Sequence, residues 1–248
     1  EYNFPDEAGQ WKTANCITFP WIMTVSQIEY QEKLRGALYQ PSKKSKIELE
    51  TFLTRRIKVR SMEKKSWQRL DPAGGGWGLF GYHTVPAGAT EVVLTEGEYD
   101  AMAVWQATGR PAISLPNGCR SLPVEVLPML EHYSKIYLWM DNDAAGQEGA
   151  DSFAKKIGLE RCYIVRPTRT NCEVDETADL PKDANEALLQ GLDLSRILDD
   201  AKPVPHESIV HFSDLRQEVM HEILHPEKYV GTPVTSLPGL TKIIKGLR

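Results

Sequence analysis

From Glu91 onward the chain alternates between short apolar runs and helix-compatible stretches, a rhythm that constrains the fold more than any other feature. It predicts strand 91–95, helix 98–108, strand 111–115, helix 123–132, strand 135–140, helix 144–157 and strand 161–166. Alternation at this spacing builds a parallel α/β sheet with helices on its faces. A loop over 168–182 then leads to short helices near 183–190 and 193–201.

In such a sheet, residues just past the strand C-termini gather at one edge, where ligand crevices form. Val92-Val93-Leu94 leads into Glu96-Gly97-Glu98-Tyr99-Asp100, and Ile136 to Met140 leads into Asp141-Asn142-Asp143-Ala144-Ala145-Gly146. A third acidic group, Lys182-Asp183-Ala184-Asn185-Glu186, stands at a helix entrance. Singly, each has a plain structural explanation. Acids in a first helical turn complement the helix dipole, and Asp or Asn before a helix serves as its cap. Together they point elsewhere, because clustered carboxylates repel one another unless a cation joins them. Hard oxygen donors suit Mg²⁺. The constellation predicts a site for a divalent metal and nucleotide phosphates.

The first 90 residues differ in character. They carry 13 Lys and Arg against 9 Asp and Glu, while the remainder carries 16 against 25. The excess concentrates in Arg55-Arg56-Ile57-Lys58-Val59-Arg60 and Lys64-Lys65. A basic module beside an acidic metal site suits a polyanion whose phosphates must reach the metal, although a solvated charged face explains the run equally well. Strands are expected over 17–22, 57–60 and 66–70, with a turn at 62–65. Residues 25–54 read as helix-permissive, from Gln27 to Leu38 and from Lys46 to Leu53. Three glycines at 74–76 form a loop before an aromatic segment, Trp77 to Tyr82.

Lys202-Pro203-Val204-Pro205 marks a boundary. Beyond it Phe212, Leu215, Val219, Ile223 and Leu224 form one apolar helical stripe, which must fold back or dock on a neighbouring subunit. Cys16, Cys119, Cys162 and Cys172 lack CxxC pairing, so neither a zinc module nor a disulfide framework is expected. No apolar run approaches the roughly 20 residues that span a bilayer. Both ends look cut, and the chain reads as part of a longer one.

Glu-Gly-x-x-Asp after a strand, then Asp-x-Asp after a strand, then a further acidic motif, resembles the TOPRIM domain of bacterial-type primases, topoisomerases and some nucleases. Lys182-Asp183-Ala184-Asn185-Glu186, with Asp141-x-Asp143-x-Ala145-Gly146 before it, is similar to phage-type primase–helicases. Cys16 to Trp21 and Ser236-Leu237-Pro238-Gly239-Leu240 look like the mitochondrial branch of that family. The resemblance runs from about residue 15 onward, with no counterpart for 25–54. It implies a basic primase-like subdomain over 1–88, a TOPRIM subdomain over 89–204, a linker helix over 205–225 and the start of a helicase domain over 226–248. No GxxxxGK[ST] occurs, so the ATPase motor is not in this sequence.

By the resemblance, Glu96 matches a general base, and Asp141, Asp143 and Asp183 match the acids that hold Mg²⁺ or Mn²⁺. Lys58, Arg60 and Lys64, with Arg55 and Arg56 beside them, fall where basic side chains meet nucleotide or DNA phosphates. Asp100 and Asn185 cap or orient. The family's zinc-binding template module has no counterpart here.

The resemblance implies two functions. One is an accessory domain of a mitochondrial replicative ring helicase that binds single-stranded DNA and supports unwinding. In it, residues 212–224 contact neighbouring subunits of a hexamer or heptamer. The other is an active primase that joins ribonucleotides on single-stranded DNA.

Overall fold

The computed structural model describes residues 1–36, 51–74 and 76–204, and beyond them Arg216, Met220, Ile223 and Leu224. The chain divides into two compact units, 1–204 and 205–248. In the second unit the four described residues are helical, and Met220, Ile223 and Leu224 are exposed. Phe212, Leu215 and Val219 of the expected stripe lie outside the described residues.

The first unit opens with a hairpin of β1 (Tyr2–Pro5) and β2 (Trp11–Ala14), which the sequence pattern had not marked. A three-stranded antiparallel sheet follows. It holds β3 (Cys16–Thr24), β4 (Phe52–Ser61) and β5 (Gln68–Asp71), with β4 central. Pro20 is tolerated inside β3 because that strand lies at the edge, where a missing N–H breaks no ladder. Helix α1 (Val25–Leu34) starts at Thr24 in a reciprocal cap with Gln27. The second helix expected over 46–53 lies partly outside the described residues. Phe52 and Leu53 are strand instead, paired with Thr24 and Met23.

Side-chain alternation along β4 gives its two faces different jobs. Ile57 and Val59 pack with Phe4, Ala14 and Trp67 beneath the hairpin. Arg56, Lys58 and Arg60 share the other face, opposite Trp21, Phe19 and Ile17 of β3.

The larger half is an α/β layer structure. In chain order it contains β6 (Glu91–Thr95), α2 (Glu98–Thr108), β7 (Ala112–Ser114), α3 (Leu127–Leu130), β8 (Lys135–Trp139), α4 (Ala144–Ile157) and β9 (Cys162–Ile164). Then come α5 (Arg169–Cys172), α6 (Ala184–Leu189), α7 (Leu194–Asp199) and β10 (Lys202–Pro203). Sheet order is β10-β9-β8-β6-β7, parallel except for β10. Helix 123–132 is shorter than expected, a 3₁₀ turn at Val124–Val126 running into α3, with Pro123 and Pro128 punctuating it.

Val92, Leu94, Ile136 and Leu138 face one apolar layer with Phe153, Ala154 and Ile157 of α4. Val93, Tyr137 and Trp139 face the other, with Ala101 and Val104 of α2 and Leu194, Ile197 and Leu198 of α7. Both faces are covered, as near-continuous apolar strands require. The chain leaves β6 toward β7 and returns past β6 to β8, so the C-terminal ends of β6 and β8 form the switch point where ligands bind in open α/β sheets. Among the described residues, no helix is long and apolar enough to cross a membrane.

Candidate metal and phosphate site

Glu96 leaves the end of β6 on a turn locked by Thr95, whose hydroxyl donates to the Gly97 and Ile113 carbonyls at 2.9 and 3.2 Å. Asp100 lies in the first turn of α2 and folds back over Gly97. A Cβ at 97 would sit 2.8 Å from Asp100 Oδ2, so the glycine makes room for the carboxylate. Asp141 follows β8, and the Asn142 N–H donates to the Lys182 carbonyl at 2.6 Å, tying the two acidic loops together. Asp183 caps α6 by accepting from the Glu186 N–H at 2.7 Å, while Glu186 Oε2 accepts from the Lys182 N–H.

These connections bring Asp100, Asp141 and Asp183 to one point, with a carboxylate oxygen from each within 4.8 Å of the others. Two oxygens on one ion with bonds of about 2.1 Å can stand at most about 4.2 Å apart, so the three carboxylates lie near the spacing at which one hard cation joins them. Burial first, and then the Asp183 and Asp141 charges, push the Asp100 carboxyl up to about 7, against the lowering effect of the Asn185 N–H. Asp141 is raised as well, chiefly by burial, with Lys182 opposing at 2.7 Å. Self-repelling, half-desolvated carboxylates are what a cation would relieve.

The expected acids divide. Asp143 stands outside the three-oxygen cluster, exposed, as the cap of α4 with the Gly146 N–H at 2.9 Å. Asp100, read from sequence as a capping or orienting group, is inside it. Asn185 contributes its backbone N–H, which donates to Asp100 Oδ1 at 3.0 Å. Glu96 is half-buried beside the cluster, and its Oε2 has no hydrogen-bond partner among the described residues. Cys119 adjoins it; burial first, and then the Glu96 charge, push that thiol up to about 11.

The expected basic residues also divide. Arg56 is buried, its guanidinium donating to the Pro72 and Gly76 carbonyls at 3.1 and 3.2 Å and lying over the Trp21 and Trp77 rings. Arg55 is committed to Glu32. Lys64 pairs with Glu7 at 2.8 Å and covers Trp67. Lys58 Nζ lies 2.7 Å from the buried Glu98 Oε1. Arg60 lies over Tyr99.

A cleft of about 560 Å³ joins the two halves, with Lys58, Arg60, Lys65 and Lys182 facing Glu96, Asp100, Asp141 and Asp183. Lys182 and Tyr99 were visible in the sequence only as motif neighbours, and their facing the cleft depends on α6 and α2 starting at the same edge. Trp67, Trp77 and Tyr82 are half-buried against Phe4, Trp21 and His132.

Residues 93–188 match the Toprim-like family. The chain is 28% identical over 180 residues to the Twinkle homolog protein, chloroplastic/mitochondrial, of Arabidopsis thaliana, a match covering 63% of this chain and 24% of that protein. It is 29% identical over 150 residues to the Primase homolog protein of the same plant, covering 53% and 42%. The primase fragment of the bacteriophage T7 primase-helicase protein matches at 24% identity over 59% of this chain and 56% of that one, with a TM-score of 0.45. The match thus spans less than half the length of either curated relative. The chain is similar to a Twinkle-like, primase-like region with a Toprim-like core.

Proposed function

We propose that this chain is the primase-like part of an organellar DNA-replication protein. In this reading it holds a divalent ion on Asp100, Asp141 and Asp183 and binds nucleic-acid or nucleotide phosphates in the cleft above them. The observation that carries the reading is the three-carboxylate cluster at the β6/β8 switch point, faced by cations from a separate sheet. A bound Mg²⁺ or Mn²⁺ would supply charge to polarise phosphoryl oxygens and lower the pKa of an attacking hydroxyl. Lys58, held in place by Glu98, and Lys182, now on Asp141, offset phosphate charge. Glu96, with one carboxylate oxygen unpartnered, is placed to take a proton from a hydroxyl.

Within this reading the module serves a ring helicase in mitochondria or chloroplasts, binding single-stranded DNA and supporting unwinding. Residues 212–224 contact adjacent subunits. The retention of Glu96 beside the cluster favours a second reading, an active primase joining ribonucleotides. Incubation with ribonucleotides, Mn²⁺ and a mixed-sequence single-stranded template decides between them. Labelled oligonucleotides that disappear in Glu96→Gln and in Asp141→Ala/Asp183→Ala mean priming. DNA binding without product means an accessory domain, and neither product nor DNA binding overturns both.

A further inference from the structure

The cations on the inner face of β4 meet three different fates. Arg56 is sealed between tryptophans, and Lys58 is paired with Glu98. Arg60 is in no ion pair among the described residues. Its guanidinium carbon lies 5.2 Å from the centre of the Tyr99 ring. That ring meets Phe19 edge-on, at 5.5 Å and 81°. Phe19 is buried and meets Phe80 in the same manner, at 5.5 Å and 89°. A ladder therefore runs from the core through Phe80, Phe19 and Tyr99 to Arg60. It ends in the cleft, which both Tyr99 and Arg60 line and where Tyr99 is the sole aromatic side chain among the described lining residues.

A guanidinium is planar and weakly hydrated on its two faces. Arg60 lies against the Tyr99 ring and is half-buried at the cleft wall, so its guanidinium borders both the ring and the cavity. Tyr99 directly precedes Asp100 on the first turn of α2, so the ladder ends beside the carboxylate cluster. The cleft volume of about 560 Å³ lies in the range of about 300–1,000 Å³ that takes small-molecule ligands.

We propose that Arg60, supported by Tyr99, is the stacking platform for the nucleobase of a nucleoside triphosphate whose phosphates lie at the carboxylate cluster. The assignment rests on the metal-and-phosphate reading of the cleft. It differs from a phosphate contact because the plane of the side chain matters and not only its charge. Stacking of this kind tolerates every base.

The test measures ATP and inorganic tripolyphosphate binding to the whole chain with Mn²⁺, for wild type, Arg60→Lys and Tyr99→Leu. Arg60→Lys keeps the charge and removes the plane, and it breaks no ion pair among the described residues. It should weaken ATP about tenfold and leave tripolyphosphate within about twofold. Tyr99→Leu, checked by thermal melting, should do the same. Equal weakening of both ligands would make Arg60 a phosphate contact and overturn the platform, as would no weakening of either. If wild type binds neither ligand, the metal-and-phosphate reading itself fails and the platform with it. A single-stranded oligonucleotide and its abasic counterpart form the last arm. If Arg60→Lys erases discrimination between those two while ATP binding stays normal, the stacked base belongs to a DNA strand and the triphosphate assignment is wrong.

Discussion

Asp100 has a measurable signature of its own. Its folded-state pKa of about 7 stands above the ordinary 3.8. Between those values the folded chain holds a proton that the unfolded chain has released. The sign follows from proton uptake on folding: stability is greatest below about pH 4 for this group and falls as pH rises toward 7. In EDTA the melting temperature should carry that fall. Mg²⁺ should flatten it, because the ion takes over from the proton, and Asp100→Asn should reduce it to the smaller part that the raised Asp141 carboxyl carries; an unchanged wild-type slope in Asp100→Asn would show that another group is responsible. Arg56 makes the opposite point, since a basic residue in a basic run need not face a polyanion. Arg56→Ala removes one buried and one half-buried carbonyl contact and the packing between two indoles, at a cost of about 2 kcal/mol or more. Urea unfolding should show that loss, while the folded variant's affinity for single-stranded DNA stays at the wild-type level.

At the scale of elements, the helix entrances set the site, and small residues decide how closely they approach. Gly146 lies in the first turn of α4, where a Cβ would fall 2.1 Å from the Asp141 carbonyl oxygen. Alanine there gains about 1 kcal/mol of helix propensity, but the steric conflict with main chain outweighs it. Gly146→Ala should displace Asp141 and weaken Mn²⁺ binding by about tenfold or more, and unchanged binding would show that α4 does not position that acid. Asp143→Ala should cost about 1 kcal/mol as a lost helix cap and leave the metal in place. Which elements could be read from sequence follows from the same local physics. Helices α2 and α4 begin and end where expected because Gly97, Gly109, Asp143 and Gly158 mark their limits in the chain itself. The β1–β2 hairpin went unmarked because Trp11-Lys12-Thr13-Ala14 lacks an apolar alternation. Phe52 and Leu53 look helical in isolation, and only pairing with β3 makes them strand.

For the whole molecule, the α/β class and the edge bearing the acids were legible because parallel sheets place strand ends together. The membership of the cluster was not. Asp100 is joined to the third acidic motif by a hydrogen bond to Asn185, 85 positions away, a contact created by α2 and α6 starting side by side. Likewise a row of three basic residues could not reveal which would be buried, paired or open. The central claim is that Asp100, Asp141 and Asp183 form one ion site. It is tested most directly by calorimetric titration of Mn²⁺ into the wild-type chain, Asp100→Asn, Asp141→Asn, Asp183→Asn and Asp143→Ala. The account expects saturable binding in wild type and Asp143→Ala, lost or weakened by about tenfold or more in each of the other three. Indistinguishable isotherms across all five proteins, or loss in Asp143→Ala alone, would contradict it.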